Sequence, residues 1–348
     1  MIPYKAETKM QELALLKERL AAFFNSDDFA IEPLKNGASV RRYYIINFNS
    51  KIYFPRRQVI LMLIPADRLA MADDYLNISY YFRRRKIPRP RLYEIHREYG
   101  WIFLAPAAGE QLDQYLREHP EEKKHIYPGI INFLIEVQKR AEYEKHCPAF
   151  LRFFDADQYL YEFDFHVRNQ LLKHFYRHKL SFSENDIFNE CVAEISNVLD
   201  SRLPVFVHRD FQSSNIFFNK NSSGLPFQII DFQDARSGSL TYDLVSVLWD
   251  SYVEIPSDLR EELVEKFFAD QPLVQKHFSL QDYQKAVDYT IIQRKLHDAG
   301  AFVYTSQLLQ NDAYLPYIDG AVSMALETMD RYESFKKAGE FLRKIRGE

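Results

Sequence analysis

From about residue 111 onward this sequence reads as helix, with one interruption that constrains the fold. The stretch VFVHRDFQSSNIFFNKNSSGLPFQIIDFQDA, residues 205–235, sets two short apolar runs on either side of a turn signal, Asn221-Ser222-Ser223-Gly224. After Leu240 helical spacing returns to the end. The expectation is a β-hairpin placed among helices, with unusual side chains around it. His208-Arg209-Asp210 is followed by Asn215, giving H-R-D-x-x-x-x-N, and Asp231-Phe232 ends the second run. The four residues between Asp210 and Asn215 suffice to turn both side chains toward one cavity, and the hairpin brings Asp231 beside them.

That grouping suits phosphoryl transfer, which needs an oriented hydroxyl and a metal on the phosphates more than covalent help. Asp210 is the candidate catalytic residue, accepting the acceptor hydroxyl's hydrogen bond and, late in the step, its proton. Asn215 and Asp231 supply the hard oxygen ligands that Mg²⁺ prefers. His208 reads as a scaffold for the loop backbone, and Arg209 has no evident partner. The bland alternative makes Asp210 and Asn215 turn residues and Asp231 a helix cap. It leaves two acids and an amide around one hairpin unexplained.

The N-terminal part changes period several times. Residues 7–24 place Leu13, Leu15, Leu16, Leu20, Phe23 and Phe24 at helical spacing. Val40 to Phe48 is a β-branched and aromatic run, 58–65 (QVILMLIP) reads as a buried strand, and 67–86 is helical until Pro88 and Pro90. Residues 92–106 read as a hairpin turning near Tyr99-Gly100. Together these predict a small mixed sheet with one helix over roughly 30–106. Helical stretches follow at 111–146, 155–178 and 185–201, the last with Ser183 or Asn185 as cap candidates. The fold class is α+β, with a small β-rich N-lobe at 1–106 and a large helical C-lobe at 107–348.

Composition narrows the partners. With 348 residues and 47% apolar content, two lobes with sizeable cores are expected. A formal net charge of -4 argues against a nucleic-acid binder. The run Arg83 to Lys86 reads as a solvated helix end. Two cysteines, Cys147 and Cys191, lack metal-ligand spacing and fit a reducing cytoplasm. No signal peptide and no membrane span are expected. The oligomeric state is left open.

The segment resembles the catalytic loop of the aminoglycoside phosphotransferase and choline kinase-like superfamily. Within it, IIDFQDARSGSLTYDLVSVLWDSYVEIP (229–256), GASVRRYY (37–44) and QRKLHDAGAF (293–302) are similar to bacterial cell-wall amino-sugar kinases, which phosphorylate N-acetylmuramate and N-acetylglucosamine at C1. The likeness spans about 36–305. In that branch Asp-Phe-Gln is the usual form where other kinases have Asp-Phe-Gly. The resemblance implies a protein kinase-like bilobal fold, ATP and Mg²⁺ as cofactors, and Asp243 as a structural acid accepting hydrogen bonds from the catalytic loop. Only a short stretch separates Asp231 from Asp243, which leaves no room for a long regulated activation segment.

Other site candidates are less sharply marked. Asn36-Gly37-Ala38-Ser39 lies where kinases place a phosphate-covering loop, and Gly37 and Ser39 are candidates for nucleotide binding; an ordinary turn is the other reading. Arg41 and Arg42 alternate faces, so at most one points at the phosphates. The buried strand 58–65 has no lysine, which leaves the phosphate cation open among Arg41, Arg42 and Lys51. Asp73 or Asp74 could be its acidic partner, or both could face solvent. For the acceptor, Asp234, Asp250 and Arg294 are the candidates. His297 either lines the site or lies at the surface, and Trp249 reads first as core. Where this chain has Trp249, related sugar kinases favour Arg, which would pair a lactyl carboxylate.

The expected function is transfer of the γ-phosphoryl of ATP to a hydroxyl of an amino sugar, the resemblance pointing to the anomeric one. A kinase of an aminoglycoside or amino alcohol is the alternative. Such cationic acceptors need a strongly acidic pocket, and the C-terminal helices show no acidic run. The rival from another class is a nucleotide-binding pseudokinase module. It would show loss of Asp210, Asn215 or Asp231, and all three are present.

Overall fold

The computed structural model describes residues 2–34, 41–50, 53–200 and 204–347. They divide into two compact units, one of residues 2–73 and 90–107, the other of 74–89 and 108–347. Residues 74–89 fall in the second unit although they precede 90–107 in the sequence.

The first unit is a five-stranded sheet with a helix against it. Helix α1 (Ile2–Phe24) leads into β1 (Phe29–Pro33), β2 (Arg42–Phe48) and β3 (Gln58–Leu63). Helix α2 (Ala70–Arg84) begins in this unit, and β4 (Leu92–His96) and β5 (Trp101–Leu104) close the sheet. The strand order is β1-β2-β3-β5-β4, and every pairing is antiparallel, not mixed. Leu16, Leu20 and Phe24 recur on one face of α1 and bury against Phe48, Phe54, Trp101 and Phe103. Each such side chain contributes about 1.5–3 kcal/mol on full burial. The β4–β5 turn needs glycine at 100: its φ is +66°, and a β-carbon there would overlap the Ile64 carbonyl.

The second unit is helical around three short β pairings. After β6 (Glu110–Gln111) come α3 (Leu112–Glu118) and α4 (Lys123–Arg140), then α5 (Ala156–Glu162), which runs on as a π-helix over Phe163–Phe175. Helix α6 (Phe182–Leu199) starts earlier than the sequence suggested, because Ser181 and Glu184 form a reciprocal capping box. Strands β7 (Val205–Val207), β8 (Ile216–Phe218), β9 (Phe227–Ile229) and β10 (Arg236–Gly238) form the interruption. β8 and β9 are the expected hairpin, while β10 returns to pair with β7. The remaining helices are α7 (Tyr242–Leu248), α8 (Ser257–Asp270), α9 (Pro272–His277), α10 (Leu280–Leu309), α11 (Pro316–Met329) and α12 (Lys336–Arg346).

Helix α10 is the axis of this unit. It is buried on all sides along 289–300, polar residues included. Its close neighbour is the π-helix. A β-carbon at Gly300 would overlap the His166 carbonyl, so glycine there lets the two backbones touch. No helix among the described residues is long and apolar enough to cross a membrane.

Candidate active site

Two loops converge at the ends of the short strands. The first, His208 to Asn215, leaves β7; the second, Ile230 to Ala235, leaves β9. Register brings them together. Ile216 pairs with Ile229 in the hairpin, the Ile230 N–H donates to the Asn215 carbonyl at 3.0 Å, and His208 Nε2 lies 3.0 Å from the Ile230 carbonyl. His208 thus has the scaffolding place expected of it. Asp243 accepts from the backbone N–H of His208 at 2.7 Å and of Arg209 at 3.0 Å, as the resemblance implied. Burial raises the Asp243 carboxyl to about 7 despite these two donors.

Those bonds hold an unfavourable backbone. Arg209 sits at φ +76° and Asp231 at +65°, left-handed values that cost a non-glycine residue roughly 1–3 kcal/mol. Strain of this kind persists only where surrounding contacts over-determine it. For Arg209 the contacts are plain: Asp243 holds its N–H, while Ser246 Oγ at 3.3 Å and Arg294 Nη1 at 3.0 Å donate to its carbonyl. Its side chain, without a partner in the sequence reading, pairs with fully buried Glu162 at 2.9 Å, and Gln293 donates to the other Glu162 oxygen at 2.7 Å.

Asp210 keeps 35% of its side chain exposed. Burial pushes its carboxyl up, but Arg294, Arg209 and His208 more than offset this and hold it below the usual carboxylate range. Asn215 donates Nδ2 to the Asp210 carbonyl at 2.9 Å, so its remaining amide group is the oxygen. Asp231 accepts from Gln233 Nε2 at 3.2 Å, and the same nitrogen donates to Asp234 at 2.8 Å. Gln233 is buried, which settles its part: it ties the two acids of the loop together. Phe232 is fully buried between Tyr75, stacked at 4.9 Å, and Phe82 at 4.8 Å.

Several candidates are placed differently from expectation. Arg294 is not open to an acceptor. Its side chain is 4% exposed, and Nη2 donates to Asp210 Oδ1 at 3.1 Å. Asp250 is not open either. It is buried, and both oxygens are taken by backbone donors, Ser213 N at 2.7 Å and Tyr252 N at 2.8 Å. Arg42 points at α1, where it pairs with Glu12 at 2.5 Å. Arg41 is buried just ahead of β2. Asp73 pairs with Arg97, and Asp74 with Arg152, so neither faces solvent unpaired. His297 is buried, its ring 4.2 Å from that of His166. Trp249 is half-buried under Arg260. Asp234 remains partly accessible beside Asp231. Gly37, Ser39 and Lys51 lie outside the described residues.

Sequence reasoning missed Glu162, Arg152 and Asp298. Arg152 bridges Asp74 and the Gln233 carbonyl, the latter at 3.1 Å. Asp298 pairs with Arg294 Nε at 3.0 Å and Lys295 at 2.7 Å, and only this residue carried a signal, its i,i+4 spacing from Arg294. The two loops present an ionised acid with an accessible edge beside a carboxylate and an amide oxygen. That set can orient a hydroxyl and hold a hard cation.

A family model described as the phosphotransferase enzyme family, APH, matches residues 30–278. An N-acetylmuramate/N-acetylglucosamine kinase of Neisseria meningitidis serogroup B is 25% identical over 330 residues, covering 93% of this chain and 92% of that protein. Among solved structures, choline kinase LicA from Streptococcus pneumoniae superposes with a TM-score of 0.60 at 13% identity, covering 92% of this chain and 99% of its own. The gentamicin complex of APH(2")-IIa gives 0.59 at 16% identity, covering 90% and 95%. These likenesses show the protein kinase-like fold. The chain belongs to the phosphotransferase enzyme family and is a kinase acting on a hydroxyl acceptor.

Proposed function

We propose that this protein transfers the γ-phosphoryl group of ATP to the anomeric hydroxyl of an N-acetylglucosamine- or N-acetylmuramate-type sugar. The observation carrying this reading is the near full-length similarity to the Neisseria amino-sugar kinase, with Asp210, Asn215 and Asp231 gathered at one site. In the proposed step Asp210 accepts the hydrogen bond of the acceptor hydroxyl. The hydroxyl oxygen forms a bond to the γ-phosphorus as the bond to the β,γ-bridging oxygen breaks. ADP leaves, and the hydroxyl proton passes to Asp210 late in the step.

The donor set fits Mg²⁺. Asn215 has its nitrogen engaged and so offers oxygen, and Asp231 adds a carboxylate. One or two protein ligands with phosphate oxygens is the usual arrangement for this ion. When bound, the ion neutralises charge on the phosphates. Asp234 is the acid proposed to receive acceptor hydroxyls. Arg41, with the loop bearing Gly37 and Ser39, stays proposed for the nucleotide. Two free buried cysteines suit a reducing, cytoplasmic setting.

A neutral or anionic sugar is favoured over an aminoglycoside or amino alcohol because three nearby acids are already engaged. Asp250 is held by backbone donors, Glu162 by Arg209, and Asp298 by Arg294 and Lys295. The test is ADP release with ATP, Mg²⁺ and a panel of sugars and amino alcohols, the phosphorylated position being read by NMR. Sugar-dependent release is expected, lost in Asp210→Asn. Release with amino alcohols or aminoglycosides alone would overturn the acceptor class, and equal release in Asp210→Asn would remove Asp210 from its role.

A further inference from the structure

We infer that Arg294 is a positioning residue for phosphoryl transfer: anchored by Asp298, it grips one carboxylate oxygen of Asp210 and the peptide just before it, leaving the other oxygen aimed at the acceptor hydroxyl. The inference rests on the role proposed above for Asp210.

The geometry is specific. Arg294 Nη2 donates to Asp210 Oδ1 at 3.1 Å, while Nη1 donates to the Arg209 carbonyl at 3.0 Å and to the Tyr242 hydroxyl at 3.2 Å. The third guanidinium nitrogen, Nε, faces Asp298 Oδ1 at 3.0 Å. Asp298 is itself fixed by Lys295, whose ammonium donates to the Trp249 carbonyl at 2.6 Å and to Ser251 Oγ at 3.0 Å. A chain of contacts thus runs from α7's end through α10 to Asp210. The Arg209 carbonyl belongs to the strained peptide that precedes Asp210, so Arg294 fixes the backbone and the carboxylate together. A planar guanidinium does both in one rigid fork, which an ammonium on a flexible stem lacks.

Pairing with a cation makes Asp210 a weaker base. That loss matters little if the proton moves late, whereas aim matters throughout: a misplacement of about 1 Å can cost on the order of 10²-fold in rate. Burial of a guanidinium against the base is therefore understandable as orientation, with ionisation of Asp210 assured as a by-product.

The experiment uses the full chain with Arg294→Gln, Arg294→Lys and Asp298→Asn. For each, kcat and acceptor KM are measured with whichever hydroxyl compound the panel identifies as substrate, and nucleotide Kd is measured without acceptor. In Arg294→Gln kcat should fall about 10²-fold, with acceptor KM and nucleotide Kd changed less than about twofold. Arg294→Lys keeps the charge but not the planar fork, so kcat should still fall about tenfold or more. If Arg294→Gln does not fold, Arg294→Lys and Asp298→Asn decide: wild-type kcat in both overturns the inference. A folded Arg294→Gln that raises KM or Kd and leaves kcat near wild type also overturns it. Failure of every sugar would sink the amino-sugar reading, while kcat with the acceptor that does react still judges Arg294.

Discussion

The loop carrying Asp210 leans chiefly on buried charged groups, whereas the contacts described for the loop carrying Asp231 are mostly an amide and aromatic rings. Around 208–215 stand Arg294, Glu162, Asp243 and Asp250, every one buried. Around 230–235 stand the amide of Gln233 and the rings of Tyr75 and Phe82. Arg152 does hold the Gln233 carbonyl, but Asp74 matches its charge. The difference suits the roles proposed for the two loops. In the proposed step Asp210 would have to stay ionised and pointed, and a fixed cation helps both. Asp231 would give its charge to a metal ion, and a guanidinium in contact would compete with that ion. An amide and two rings brace the loop without competing.

The largest expected effect probes the metal side itself. Asp231→Ala should reduce ADP release by more than the roughly 100-fold that loss of a supporting partner costs; retained turnover at saturating Mg²⁺ would remove the metal assignment. Next, Glu162→Gln leaves the part-buried Arg209 without its counter-charge, and the urea midpoint should drop by the equivalent of about 3 kcal/mol. Gln233→Gly, which installs the residue common in other kinases, should weaken apparent Mg²⁺ affinity about tenfold while lowering stability by only about 1 kcal/mol. Equal stability losses for Glu162→Gln and Gln233→Gly would break the contrast between the loops. Smallest of all, Arg42→Ala severs an exposed pair worth about 0–1 kcal/mol. Nucleotide KM should stay within about twofold, and a larger rise would return Arg42 to the phosphate candidates.

The hairpin and its two loops were legible because period-2 runs and a Ser/Gly turn are local signals, and because Asp210, Asn215 and Asp231 sit at fixed offsets from them. The buried strand 58–63 and the turn at Gly100 were legible for the same reason. Ser181-x-x-Glu184 was an available local signal for the start of α6, passed over in favour of Ser183 or Asn185. The π-helix at 163–175 has no residue-level signature to read. Arg294 and Asp250 were recognised as residues of interest but given the wrong partners. An arginine or an acid announces its charge, not its facing. What Arg294 meets is set by the packing of α10 against a loop 84 residues earlier, and what Asp250 meets by the return of the chain to Ser213. Glu162 was invisible because nothing in its surroundings marks it as the counter-charge of Arg209.

The bracing of Phe232 bears on inhibitor chemistry. A compound that acts by evicting this phenylalanine and occupying its pocket needs a ring that can swing out and a pivot after it that can turn. Here the ring is buried against two other rings, one stacked and one tilted, and the next residue is a buried glutamine bonded to two acids. Compounds of that design should find no foothold, and selective ones would have to compete for the acceptor place proposed beside Asp210 and Asp234.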